Sequence, residues 1–480
     1  MKKRDPRQLS QAVVVRITAV PLDGGRGLSM MDIRHVVAAV LFLVKGICEL
    51  LNDSRDFADM EEGVRRLVQK AGQDVFVWAL EELDERLMRE RDKANLDEVK
   101  FCERTWVSTF GSMTVRRRQY RDRRTEEYRF LLDEALGWEP NKRLTDRMEE
   151  IALVLGTETS FRQAAKLIEC LTPGVSPMAV WGVAKDAGEK AATQARQERE
   201  RVFERGEVPQ GSRQVEKLRI EGDGVVVALQ RSDKRHEEIK LVVGYEGKTG
   251  GVRRSLKNRR AVAGVGSGKE IWEEAGVKFG KTWDLGSVKE VDVGGDGAEW
   301  IREGAELFGG EYHLDPFHLR KRLTEALSFD PDVYEAVSSA IAVLDRAAVE
   351  EALDLAAKRV RGKVRRRVSA IRDYLLTNWD GLEALSEEDR LGAIEGQVRH
   401  TIARRMKRIG ARWTREGADR MARLLAAKSN GELLSYLGRK KTQDPESRTL
   451  PTVEIGRMSA KAEDVEAWLR AKVPALTGPF

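Results

Sequence analysis

Cysteine is scarce in this chain, with three in 480 residues at Cys48, Cys102 and Cys170. An odd, widely spaced set supplies neither a disulfide framework nor a zinc-ligand pattern, and it fits a reducing compartment. Histidine is scarce too, and the five present form no metal motif by spacing. Long apolar runs are missing. The longest, residues 36–44, stops at Lys45, far short of the roughly 20 residues a membrane span needs. It predicts a buried helix. Lys2-Lys3-Arg4 is not followed by a signal-type apolar stretch, because Arg16 interrupts the run begun at Ala12, so no signal peptide is expected. Gly266-Ser267-Gly268-Lys269 has one residue between its glycines where a phosphate-binding P-loop has four, which excludes that site.

Charge is plentiful. Charged residues make up 34% of the chain, with 85 Lys+Arg against 79 Asp+Glu and a net charge of +6. The basic residues are clustered. Residues 355–372 hold eight and no acid, residues 399–415 hold seven and no acid, and residues 116–124 hold six arginines and one aspartate. Such clusters suit a polyanion that releases counterions on binding, or else they are solvated faces. Hydrophobic residues at 41% are enough for sizeable cores, and the length predicts two to four domains.

Along the chain, residues 1–98 read as a helical N-terminal region. Its first 28 residues are rich in turn formers, and Met30 or Met31 offers an alternative start. Residues 99–190 follow. In them, residues 106–115 read as two short strands around Gly111. Ser160 and Gln163 open a capped helix, residues 171–175 break it, and Ser176-Pro177 starts the next. This is a helix-turn-helix candidate or an ordinary helical hairpin. In the first case the second helix should expose Met178, Ala179, Gly182 and Lys185 and bury Val180, Trp181 and Ala184. Residues 191–216 read as a charged helical linker. Strands and helices alternate over 217–321, and residues 318–390 are nearly all helical. Helix continues over 391–427. The tail, 428–480, carries a late helix near 460–472.

Three acids stand out. Asp223 lies in Glu221-Gly222-Asp223-Gly224 and Asp296 in Gly294-Gly295-Asp296-Gly297, both beside β-type apolar runs. Glu395 lies in Ile394-Glu395-Gly396 on a helix-compatible segment followed by arginines. An Asp beside Gly is also an ordinary turn residue. Together, two strand-associated aspartates and a distant helical glutamate in a basic protein are what two-metal phosphodiester chemistry needs, because carboxylate oxygens suit Mg²⁺ or Mn²⁺. Asp292 is the nearest decoy. It lies within the strand rather than in the loop after it, and should point away.

The order of strand with Asp, further strands, helix, strand with Asp, helix, strand, helical insertion and Glu-bearing helix is that of an RNase H-like nuclease core. The motifs resemble the ISLre-type bacterial insertion-sequence transposases, a group similar to Mutator-like DDE transposases. The resemblance covers roughly 100–425. It rests on Ser108-Thr109-Phe110-Gly111, Arg116-Arg117-Arg118-Gln119-Tyr120, Leu131-Leu132-Asp133-Glu134 and Ser160-Phe161-Arg162-Gln163-Ala164-Ala165. It continues in the two Asp motifs, in Leu314-Asp315-Pro316-Phe317-His318-Leu319 and in Ile394-Glu395-Gly396, ending with Arg404-Arg405-Met406-Lys407 before Trp413.

The resemblance implies an α/β RNase H-like catalytic core with a large all-α insertion. It also implies a mainly α N-terminal region containing a short β-hairpin and the helix-turn-helix candidate. The core would comprise 217–321 and 389–427, split by the insertion at 322–388. Asp223 would bridge two Mg²⁺ or Mn²⁺ ions, with Asp296 holding one and Glu395 the other. One ion would activate water for nicking, and the freed 3′-OH would then attack target DNA. Asp315 and His318 match a Cys/Asp-x-x-His element that organises the core near the site. Lys185, Lys363, Arg365, Arg366, Arg367, Arg399, Arg404, Arg405 and Lys407 would contact DNA. The implied partners are double-stranded transposon ends and target DNA, bound by a homo-oligomer in the cytoplasm at the nucleoid, with no membrane. The competing readings are a related nuclease that cuts without joining and a protein that only binds DNA.

Overall fold

The computed structural model describes residues 30–250, 255–382, 391–407 and 410–438, with side chains from Val37 onward. The readings for residues 1–28 and for a helix near 460–472 lie outside the described residues. The chain divides into two compact units, one of residues 1–90 with 440–480 and one of residues 91–439.

The first unit, as described, is a pair of helices, α1 (Met30–Asp53) and α2 (Phe57–Glu90). The expected burial of the apolar run in α1 fails. Leu41, Phe42 and Val44 remain 45, 43 and 54% exposed. A two-helix pair has one seam and leaves the other sides of each helix in water. Among the described residues no helix is long and apolar enough to cross a membrane.

The second unit opens with β1 (Leu96–Ser108) and β2 (Gly111–Asp122), an antiparallel hairpin with a bulge at Glu98/Lys100. The strands are much longer than the ten residues read from the sequence. The arginine-rich stretch is itself strand, and its alternate residues Met113, Val115 and Arg117 turn inward. The boundary expected at 98/99 therefore cuts a strand. Next come β3 (Tyr128–Arg129), α3 (Leu131–Leu136), α4 (Asp146–Glu158), α5 (Phe161–Glu169) and α6 (Pro177–Phe203). Ser160 and Ser176 cap α5 and α6 as expected, accepting from the N–H groups of Gln163 and Ala179. Residues 191–203 are helical as expected, as the continuation of α6, whereas 204–216 are not helix. On α6, Ala184 and Ala187 pack with Leu424 and Leu433 in one small core.

Then follow β4 (Lys217–Ala228), β5 (His236–Tyr245), the small pair β6 (Gly247–Lys248) and β7 (Leu256–Lys257), and β8 (Arg260–Gly264). After them come α7 (Gly268–Gly280), β9 (Glu290–Gly295), α8 (Glu299–Phe308) and β10 (Glu311–Leu314). Five of the strands form one mixed sheet in the order β10-β9-β4-β5-β8. β4 is antiparallel to β5, and β5 to β8, whereas β4, β9 and β10 run parallel.

Side chains alternate across the sheet with period two. On β4, Leu218 and Ile220 face α7 and α8, packing with Trp272, Phe279 and Ile301. Gly222 lies in the same row, where a Cβ would come within 3.3 Å of Trp300. The odd residues face the other way. Val225 and Val227 pack with Ile394, Ile402, Met406, Met421 and Leu425.

A helical block follows, made of α9 (Pro316–Leu327), α10 (Pro331–Ala342), α11 (Arg346–Arg359) and α12 (Gly362–Thr377). It owns a separate core that includes Leu323, Leu327, Val337, Leu353, Val368 and Leu375. The chain returns through α13 (Ile394–Gln397), a π-helical turn at Val398–Ala403, α14 (Arg404–Met406) and α15 (Arg415–Ser429). Residues 391–427 are thus not one helix. The chain leaves helical geometry before Trp413, which bridges to Leu229 at the end of β4.

Candidate active site

Strand register alone brings the acids together. β4 and β9 pair in parallel with Glu221 beside Gly294, an offset of 294 − 221 = 73. Two residues further on, the same offset sets Asp223 level with Asp296. β10 pairs with β9 through Leu314 beside Gly295, so the next residue, Asp315, falls level with Asp296 as well. Three aspartates therefore stand in a row, Asp296 and Asp315 just past the carboxyl ends of β9 and β10 and Asp223 midway along β4, where its parallel pairing with β9 stops. The carboxyl end of a parallel pair is where open α/β sheets place their ligands.

Period two then decides which face Asp223 uses. Glu221 and Asp223 share the face of Val225, which is the face covered by α13. Glu221 is 1% exposed and fastens that helix. Its carboxylate accepts the backbone N–H groups of Gly392 (2.7 Å), Ala393 (3.1 Å) and Ile394 (3.2 Å), and the Tyr245 hydroxyl (2.5 Å). The residue two before Asp223 thus anchors the turn just ahead of Glu395. A carboxylate at a helix N-terminus meets both the free N–H groups and the positive end of the helix dipole.

Asp315 occupies the N-cap of α9, with Pro316 at the first helical position. One carboxylate oxygen accepts from the Phe317 N–H at 3.0 Å, and the other lies 2.7 Å from Nδ1 of His318. Ligand atoms of Asp223, His318 and Glu395 all lie within 4.8 Å of one another. Asp296 lines the same cleft, but its side chain is otherwise engaged. It accepts from the Ala298 N–H at 3.0 Å and lies 3.5 Å from the Arg322 guanidinium. The Asp296 carbonyl accepts from the Tyr374 hydroxyl of α12 at 2.8 Å. Gly297 has φ +90°, and a Cβ there would meet Tyr374 at 2.8 Å, so the helical block closes tightly over this loop.

The cleft has a volume of about 540 Å³. Its floor is acidic and its rim basic, with Lys321, Arg322, Arg399 and Lys407 around Asp223, Asp296 and Glu395, and Glu325 on the α9 wall. Among the described residues, Lys321, Arg399 and Lys407 form no ion pair. Burial pushes the Asp223 carboxyl up to about 6; His318 and the Gly224 N–H oppose this, and Asp296 and Glu395 add to it. The hydrogen bond to Asp315 raises His318 above the ordinary imidazole range against the effect of burial, and the Asp223 charge adds to the rise.

The structure thus brings together Asp223, Asp296, Glu395, Asp315 and His318, with Arg399 and Lys407 at the rim. Asp292 is turned away, paired with Lys217 at 3.0 Å and lying 3.5 Å from His313. Lys363, Arg365, Arg366 and Arg367 are exposed on α12 and form no ion pair among the described residues. Arg404 is exposed. Arg405 is not a DNA contact. It is 7% exposed, donates to the Gly156 carbonyl at 3.0 Å, and lies 5.1 Å from the ring centroids of both Phe161 and Trp413.

On α6, Val180 and Ala184 are buried and Met178 and Lys185 exposed, as read. Trp181 is not buried. It is 42% exposed, with the Lys185 ammonium 5.7 Å from its ring centroid. Burying Val180, Ala184 and Ala187 on one stripe turns position 181 outward. Glu221 and Arg322 were not singled out in the sequence. For Glu221 the signal was present, since two places before Asp223 on a strand means the same face.

Residues 50–443 match the family described as "Uncharacterised protein family (UPF0236)". The chain belongs to UPF0236. Similar relatives in the family include the UPF0236 protein TTE2489 of Caldanaerobacter subterraneus subsp. tengcongensis, 27% identical over 420 residues covering 85% of this chain and 86% of that protein. The UPF0236 protein in the vanSb 3′ region of Streptococcus gallolyticus is 27% identical over 405 residues, covering 81% of this chain and 86% of its own length. A further Caldanaerobacter protein, 25% identical over 418 residues covering 85% of each chain, bears one name that joins eleven designations, TTE0033 to TTE2212.

Proposed function

We propose that this chain is a DDE-type DNA transposase on an RNase H-like core, a metal-dependent enzyme that cuts element ends and joins the 3′-OH to target DNA. The observation that carries this reading is the convergence of Asp223, Asp296 and Glu395 in one cleft also lined by Lys321, Arg399 and Lys407, which form no ion pair among the described residues. The sheet order supports it. A central β4 antiparallel to β5 and parallel to β9, with helices on both faces, is the arrangement an RNase H-like core requires. A relative whose single name spans eleven designations in one organism supports it too, because an element that copies itself leaves near-identical genes behind.

The residues fit divalent ions. Two carboxylates and an imidazole within 4.8 Å of one another match the donor chemistry, and Asp296 offers a further carboxylate across the cleft. Such ions, when bound, lower the pKa of an attacking water and steady the leaving oxygen. The chain does the rest. Arg399, Lys407 and Lys321 set positive charge where backbone phosphates would approach, which positions the scissile bond without reading its sequence. Arg322, held between Asp296 and the Tyr374 ring, is fixed in place to meet charge developing on a phosphoryl oxygen. The exposed row Lys363, Arg365, Arg366 and Arg367 extends the DNA path onto α12. Exposed Lys185 and Trp181 give α6 a small contact face, in keeping with weak base readout.

The test is incubation of the full chain with duplexes carrying the DNA that flanks its coding region, in Mn²⁺ or Mg²⁺. Nicked ends and joined strand-transfer products are expected. Nicks without joining would reduce the assignment to a nuclease. Binding without metal-dependent cleavage would overturn it.

A further inference from the structure

We infer that His318 is a direct ligand of the metal ion, completing a site with Asp223 and Glu395, and that Asp315 is the carboxylate that orients it. This rests on reading the cleft as a metal centre, and it changes the expected ligand set. Ligand atoms of Asp223, His318 and Glu395 are mutually within 4.8 Å. Asp296, which the acidic triad would place in that set, instead faces Arg322 and the Ala298 N–H.

The His318 ring has only one nitrogen to offer. Nδ1 is 2.7 Å from Asp315 Oδ2, so the proton on that side belongs to the hydrogen bond and the lone pair at Nε2 is left for the cleft. Asp315 cannot easily turn away, because its other oxygen caps α9 at the Phe317 N–H and the residue is 2% exposed. A carboxylate that fixes the tautomer and aim of a ligating histidine is a recurrent support for metal sites. His318 follows Asp315 by three residues on the first turn of a helix, so cap and ring meet by geometry alone. A site of one nitrogen and two carboxylates selects a transition-type ion such as Mn²⁺ over Mg²⁺, which prefers oxygen donors throughout. Asp296 is then free to act later, toward a second ion or toward Arg322 and the phosphate.

The experiment uses the metal-free full chain titrated with Mn²⁺ and examined by pulsed electron paramagnetic resonance. The wild-type protein should bind Mn²⁺ at least about tenfold more tightly than Mg²⁺ and show ¹⁴N modulation from a directly bound imidazole. Growth with ¹⁵N-histidine should shift that modulation to the ¹⁵N frequencies, a test that needs no variant. In His318→Gln the modulation should vanish and affinity should fall by about tenfold or more, whereas Asp296→Asn should keep the modulation. Bound Mn²⁺ without nitrogen coupling, coupling that persists in His318→Gln, or no Mn²⁺ binding at all would each overturn the inference. Nitrogen-coupled Mn²⁺ in a protein that cuts no DNA would leave it standing and sink the transposase reading instead.

Discussion

The chain has two arginine-rich regions that look alike in sequence and differ in structure. In the β1–β2 hairpin, the arginines between 116 and 124 are engaged, several of them by carboxylates. Arg117 lies 3.3 Å from Asp133, Arg118 3.2 Å from Glu98, Arg121 2.9 Å from Glu126, Arg123 2.6 Å from Asp97 and Arg124 3.8 Å from Asp122. Arg116 and Arg118 also lie 4.9 and 4.6 Å from the ring centroid of Phe101. Around the cleft and on α12, Lys321, Arg399, Lys407, Lys363 and Arg365 to Arg367 meet no carboxylate among the described residues. A run of arginines therefore says little about polyanion binding until the acids facing it are known. In the hairpin the arginines hold strands together, whereas near the cleft their field points outward.

The largest effect should follow from the cleft floor. Asp223→Asn keeps the shape and removes the charge a cation needs, so metal-dependent cleavage should drop to background while DNA binding persists in a gel-shift assay. The same change in the hairpin, Asp122→Asn, should leave cleavage intact in any protein that still folds. Wild-type cleavage by Asp223→Asn would break the assignment of the cleft as the chemical centre.

Next in size is Glu221→Ala. It strands three backbone N–H groups and the Tyr245 hydroxyl, each buried donor costing about 1–3 kcal/mol. A loss of roughly 3–5 kcal/mol in unfolding free energy is expected, and Mn²⁺ affinity should fall further than in a control core truncation such as Val227→Ala. If Glu221→Ala lowers stability alone, Glu221 supports the fold but does not aim Glu395.

These two residues also mark what could be read in advance. The 73-residue spacing of Asp223 and Asp296 proved to be the register offset of two parallel strands, so strand-like runs and spacing carried real information. The helical block, the capped starts of α5 and α6, and the loop position of Asp296 were legible for the same reason, because caps, periodicity and glycines are local signals. The docking of Glu395 was not. It depends on Glu221 reaching Gly392, 392 − 221 = 171 residues away. Arg405 and Trp181 were misread for a similar reason. Arg405 is taken up by Phe161, 244 residues earlier, and Trp181 is turned out by neighbours on α4 and α15.

A third pair of variants separates inward from outward arginines. Arg405→Ala should cost about 1–3 kcal/mol of stability, by loss of its bond to Gly156 and its ring contacts, with the salt dependence of DNA binding unchanged. Replacing Arg365, Arg366 and Arg367 together should leave the melting temperature alone and flatten the salt slope by up to about 3. An unchanged slope would make α12 a solvated face, and the contrast between the two regions would then end at the rim of the cleft.

The smallest effect concerns sign rather than size. In the metal-free protein, burial pushes the Asp223 carboxyl up to about 6 from its ordinary 3.8. Between those values the folded chain holds a proton that the unfolded chain has released, so the contribution of Asp223 to stability is best in acid and falls as pH rises through about 6. Raised His318 acts in the same sense, its stabilisation fading as pH rises through its folded pKa. Asp122 acts in the opposite sense. The Arg124 N–H and Arg129 hold its carboxyl below the ordinary range, so its contribution is present at neutral pH and lost in acid. In chelator at pH 7.5, Asp223→Asn should therefore be more stable than wild type by roughly 1–3 kcal/mol, reduced because His318 loses a partner, and the gap should close near pH 4.5. Asp122→Asn should be less stable than wild type at pH 7.5. Adding Mn²⁺ should raise the melting temperature of the wild type and not of Asp223→Asn. If Asp223→Asn melts below wild type in chelator at pH 7.5, the fold holds that carboxylate comfortably, as it holds Asp122. The cleft would then lack the stored repulsion that favours cation entry.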